Sequence, residues 1–146
     1  MTTKQIALLL GGFLPALLLG VSGIFQKLST SGGSGTGPFL IVVGGTTAVV
    51  GGLFLLGEPV SSFSVRSSLY AGLFGIVWSV SMGLIAISLS RYGAQISQLV
   101  PLYNMNTLVA VGLGLVFLAE WRNVSSPQIL LAAVLIIAGG VLAARA

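Results

Sequence analysis

The residues best able to do chemistry gather in one short stretch, 95–107, where Gln95, Ser97, Gln98, Asn104, Asn106 and Thr107 interrupt an otherwise apolar run. Pro101 sits among them and has no N–H to give, so the Ser97 carbonyl loses its helical donor and the helix should kink there. With Tyr103 alongside, Gln98, Pro101, Tyr103, Asn104 and Asn106 offer amides, a phenol and an exposed carbonyl. Such a set could hydrogen-bond a substrate, and it could equally tie helices together. As a cluster it is read as a substrate-binding site. Trp78, Ser79 and Ser81 could line the same space, with Trp78 the aromatic wall, although a lipid-facing Trp78 is also consistent. Pro15, Glu58 and Glu120 are candidates for gating or interface roles. Both carboxylates fall at the ends of apolar runs, where solvated interfacial groups are equally consistent, and Glu120 could pair with Arg122.

Other chemistries are excluded. The chain has no cysteine and no histidine, so a disulfide framework, a Cys/His metal site and His-based catalysis are absent. The two carboxylates stand apart, which leaves no acid–base pair, and neither an enzyme nor a cofactor is expected. The six basic residues form no run, so a nucleic-acid footprint is not expected.

The elements that position these residues follow from composition. Of 146 residues, 55% are hydrophobic and 5% charged, with a mean hydropathy of +1.10. A soluble domain carries about a quarter charged residues, and the bilayer is the solvent that suits this chain. The spacing predicts an all-α integral membrane protein of five transmembrane helices, one unit over 1–146. The first span covers 5–25, about 31 Å of helix at about 1.5 Å per residue. Lys4 and the small pair Gly20 and Ser22 would also fit a signal peptide, but the apolar stretch is too long for a signal core, and a retained helix is expected. A Gly/Ser-rich loop at 29–38 precedes the second span, 39–57, which ends at Glu58-Pro59. After a polar link with Ser61, Ser62, Ser64 and Arg66 comes the third span, 68–89. The fourth is expected over 93–119, and the fifth from Ser126-Pro127 to about Ala144, with serine as N-cap and proline at the first helical position. Barrel strands are disfavoured because the apolar runs lack two-residue alternation. Small residues recur every four positions, at Gly44, Ala48 and Gly52, at Gly75, Ser79 and Gly83, at Ala110 and Gly114, and at Gly139 and Ala143, as helix-packing seams do.

Charge is balanced across such a bundle. Five spans put Lys4, Arg66 and Arg122 on one side and Lys27, Arg91 and Arg145 on the other, three against three. Orientation follows an excess of Lys and Arg on the cytoplasmic side, and before the N-terminal amine is added almost no such excess exists. Two outcomes are open: insertion in both orientations with antiparallel self-pairing, or a single orientation fixed by a weak bias or an insertion factor.

The later part of the chain carries a pattern. Arg91-Tyr92-Gly93-Ala94-Gln95, then Leu99-Val100-Pro101-Leu102, then Gly114-Leu115-Val116-Phe117-Leu118-Ala119-Glu120 precede a short loop and an apolar helix over 129–142. This resembles the EamA-type repeat of the drug/metabolite transporter superfamily, well over 68–146 and loosely before it. The resemblance implies a five-helix unit, two of which build a ten-helix antiparallel dimer around a cavity lined by the first, third and fourth helices. It puts Pro101 and Glu120 on motif positions and assigns no substrate. No arginine stands within 39–57 and no tryptophan in the first span, where many members carry them. No acidic residue stands in the first span either, unlike the shorter multidrug-resistance relatives that drive cation efflux with protons.

The expected function is a small multi-pass transporter of a cell membrane, of the prokaryotic inner-membrane kind. It would move a small neutral, zwitterionic or amphipathic metabolite or drug by alternating access as an antiparallel homodimer in the lipid bilayer. The alternatives are a membrane subunit that needs a different half-transporter, and a lipid-linked metabolite flippase.

Overall fold

The computed structural model describes residues 2–58, 64–119 and 126–145. Every regular element among them is helical. The first span is one long rod: α1 (Thr3–Leu8), a π-helical turn (Leu9–Phe13) and α2 (Leu14–Ser31). It starts at a reciprocal cap, in which the Gln5 N–H donates to Thr2 Oγ1 at 3.3 Å and the Thr2 N–H to Gln5 Oε1 at 2.8 Å. Pro15 at the head of α2 withholds the N–H that the Gly11 carbonyl would take, and the chain widens to i→i+5 bonding just before it, with the Leu14 N–H donating to the Leu9 carbonyl.

The glycine- and serine-rich loop expected over 29–38 is much shorter. Ser29 to Ser31 continue α2, Thr36 to Pro38 open α3 (Thr36–Gly57), and only 32–35 lie between. The Thr30 hydroxyl donates to the Gln26 carbonyl at 2.9 Å, so a residue type that reads as loop is accommodated within the helix. The helix stops only at glycine, with Gly33 at φ +91°. Proline at the third position of α3 removes an N–H that has no helical acceptor anyway. The third span, α4 (Val65–Arg91), also exceeds the expected 68–89 at both ends, and Gly93 at φ +63° follows it.

The fourth span is divided rather than simply bent. α5 (Ile96–Tyr103) and α6 (Asn106–Phe117) are joined by a turn at Asn104 and Met105. There the bonding tightens to i→i+3, the Met105 N–H donating to Leu102 at 3.2 Å and the Thr107 N–H to Asn104 at 3.1 Å. The break falls beyond Pro101, not at the Ser97 carbonyl. α6 ends at Phe117, short of the expected 119, because Ala119 takes a left-handed φ of 54°. The last helix is α7 (Ser126–Arg145).

The contacts divide the chain into two compact units, 1–93 and 94–146. In the first, α2, α3 and α4 pack on one another. Their seam is small or polar except for Leu89: Gly23, Gln26 and Thr30 of α2, and Gly83, Ala86 and Leu89 of α4. A Cβ on Gly83 would meet Leu40 and Thr36 of α3 at 3.4 and 3.6 Å, whereas Gly44, Gly52, Gly75 and Gly139 meet nothing within 4 Å. In the second unit α7 packs on α5 and α6. Gly140, beside the expected Gly139 stripe, makes the close approach: a Cβ there would lie 2.9 Å from the Pro101 carbonyl oxygen.

Little else is buried. α3 buries no residue, and Phe54 and Leu56 are 70% and 84% exposed. A soluble protein does not expose apolar surface on this scale. Four spans, Gln5–Ser31, Thr36–Gly57, Val65–Arg91 and Ile96–Phe117, are long and apolar enough to cross a bilayer, and Pro127–Ala143 is a shorter apolar stretch. The chain has the build of an all-α, multi-pass membrane protein.

Candidate functional site

The first unit contains an open groove of about 460 Å³ between α2, α3 and α4. Its size falls within the range of small-molecule sites, roughly 300–1,000 Å³. α2 turns Phe25 and Gln26 toward it, α3 contributes Phe39 and Val43, and α4 contributes Trp78 and Met82 one turn apart. Polar groups are few: the Gln26 amide and the hydroxyls of Ser22, Ser29 and Ser34. Among the described residues, none that lines the groove is charged.

Gln26 is held by a neighbouring helix. It is buried, and its Nε2 donates to the Met82 carbonyl across α2 and α4 at 3.3 Å. An intramembrane amide needs such a partner, and bonds of this kind hold helices in register. The Ser22 hydroxyl donates to the Leu19 carbonyl at 2.8 Å, which leaves its oxygen lone pairs as acceptors. The groove therefore offers an aromatic and aliphatic wall with a few hydrogen-bonding groups. Among the described residues that line it there is no nucleophile–base pair.

At the end of the bundle where α2 stops, α3 starts and α4 stops, a second, polar hollow of about 610 Å³ opens. Thr30, Ser31, Ser34, Thr36, Ser90 and Arg91 line it, and Ser34 belongs to both the groove and this mouth. The Ser90 hydroxyl donates to the Ala86 carbonyl at 2.8 Å.

The residues singled out from the sequence are placed as follows. Trp78 is half-buried and lines the groove. Ser79 is half-buried, while Ser81 is exposed and bonds the Val77 carbonyl of its own helix. Pro15 is half-buried and lines neither hollow. Glu58 caps the C-terminal end of α3, exposed, at the end of the unit away from the mouth. In the second unit Gln98, Pro101 and Tyr103 are half-buried on α5, while Asn104 in the turn and Asn106 at the start of α6 are exposed. These five follow one another around the break in the fourth span. Between the two exposed asparagines, Met105 lies against α7, where a Cβ on Gly140 would meet its Cγ at 3.3 Å. Glu120 and Arg122 lie outside the described residues.

Gln26 was not legible as a site residue because the first span was ended at Phe25. The signal was a lone amide directly after an apolar run, and a longer helix brings it inside. Compared with family models, curated proteins and solved structures, the chain finds no match in any of the three.

Proposed function

We propose that this protein is the EamA-like half of a small carrier that acts as an antiparallel homodimer in a cell membrane, of the prokaryotic inner-membrane kind. It moves a small neutral, zwitterionic or amphipathic molecule by alternating access. The observation that supports this most is the groove. It is uncharged, walled by Phe25, Phe39, Trp78 and Met82, and fitted with one anchored amide, in a protein whose apolar surface is otherwise given to lipid. Two further features agree with it. The fourth span is discontinuous at Asn104 and Met105, as helices at the sites of secondary transporters often are. Five spans would share the basic residues evenly between the two sides, so that neither orientation is favoured.

The test is orientation. Ser34→Cys and Ser64→Cys place single, exposed thiols at opposite ends of the first unit, in a chain with no native cysteine. In intact cells each position is expected to be about half labelled by a membrane-impermeant maleimide, and fully labelled only after permeabilisation. If Ser34→Cys labels wholly from one side and Ser64→Cys wholly from the other, the homodimer reading fails. The protein is then a subunit that needs an inverted partner of different sequence.

A further inference from the structure

We propose that the groove and the mouth together form one site for an anionic single-chain amphiphile, with the chain along Phe25, Phe39 and Trp78 and the anionic head at Arg91. This deepens the carrier reading and rests on taking the groove as the substrate site. The two hollows differ sharply in character yet share Ser34 in their linings. The groove is walled by aromatic and aliphatic groups, whereas the mouth is walled by hydroxyls and the backbone of the 32–35 turn. A wholly polar solute leaves the first unsatisfied, and a hydrocarbon leaves the second. An amphiphile matches both, since burial of the chain is favourable by about 0.8 kcal/mol per methylene.

Charge selects the head group. Among the described residues, Arg91 is the one charged side chain lining either hollow. Its aliphatic stem lets the guanidinium sit at the membrane boundary, where it binds carboxylate or phosphate in a bidentate manner. The carboxylate among the described residues, Glu58, stands at the far end of α3. The hydroxyls of Thr30 and Ser90 already donate to carbonyls of their own helices, so Arg91 remains the group that distinguishes an anion from a neutral head.

The test reads binding to the full chain in phosphatidylcholine nanodiscs by quenching of Trp78. The chain has two tryptophans, and Trp121→Phe leaves Trp78 alone. The probe is 12-bromododecyl phosphate, with 12-bromododecanol as the neutral counterpart and inorganic phosphate as competitor. The phosphate amphiphile is expected to quench saturably and to bind at least about tenfold more tightly than the alcohol. Arg91→Gln should abolish that preference and Arg91→Lys should retain part of it. Arg66→Gln, at the other end of α4, should leave it intact. Monodisperse elution of each variant separates lost binding from lost folding.

Equal affinity for phosphate and alcohol, an unchanged preference in Arg91→Gln, or quenching that never saturates would overturn the proposal. Displacement by millimolar inorganic phosphate would also overturn it, because the head alone would then account for binding. Equilibrium binding involves no transport step. Its failure would therefore leave the carrier reading open to other cargo, whereas a single orientation in the cysteine labelling would remove the homodimer and leave the binding result standing.

Discussion

Gly140→Val is expected to separate α7 from α5, whereas Gly139→Val, one residue away, leaves the fold intact. A Cβ at position 140 would stand 2.9 Å from the Pro101 carbonyl oxygen and 3.3 Å from Met105 Cγ. The first of these is backbone and cannot swing aside. Overpacking of this kind costs about 1–3 kcal/mol, which lowers the unfolding midpoint by about 3–10 °C in a chain of this size. At Gly139 a Cβ meets nothing within 4 Å, and replacing glycine inside a helix removes its entropic penalty. Thermal unfolding followed by circular dichroism in detergent, with gel filtration beside it, reads both variants. Equal midpoints would mean that α7 does not depend on the close approach.

Trp78→Ala should impair movement of cargo more than it impairs folding. With radiolabelled dodecyl phosphate in proteoliposomes, albumin extracts only the outer leaflet, so the slow phase reports transfer across the bilayer. Removing the indole strips one wall of the groove, and the rate is expected to fall at least about tenfold, equivalent to about 1.4 kcal/mol. Phe74→Ala is the matched control: it sits one turn earlier on α4, is 71% exposed and lines neither hollow. If both variants slow transfer equally, the groove has no special part in it.

The spans could be read from sequence because the bilayer sets a length that apolar runs either reach or miss. Their ends could not, and for a consistent physical reason. Serine, threonine and glycine signal loops in sequence, but here the Thr30 and Ser90 hydroxyls donate to carbonyls of their own helices and leave the helical bonding intact. Helices α2 and α4 therefore run on until Gly33 and Gly93 turn the chain. Trp78 was legible as a groove residue because its type is unusual within a span, whereas the amides singled out around Pro101 line neither hollow. The site was hidden where partner choice decides the role. Gln26 gains its place from the Met82 carbonyl, 56 residues away in the chain, and Gly140 from the Pro101 carbonyl. Neither long-range contact leaves a local trace, and a four-residue stripe chose Gly139 in place of its neighbour.

The central claim, that two copies pair in opposite orientations, is tested most directly by locking each orientation in turn. One variant carries Thr3→Lys and Ser64→Lys, adding charge to the end that holds Lys4 and Arg66. The other carries Tyr92→Lys and Gln95→Lys, adding it to the end that holds Arg91. All four positions are exposed, and each variant gains an excess of two basic residues on one side. The measurement is co-purification of the two variants under different tags, against each variant expressed alone. The account predicts that neither variant alone forms a dimer, and that the two expressed together co-purify as a stable heterodimer. A dimer formed by either variant alone would contradict it, because partners locked in the same orientation cannot be antiparallel.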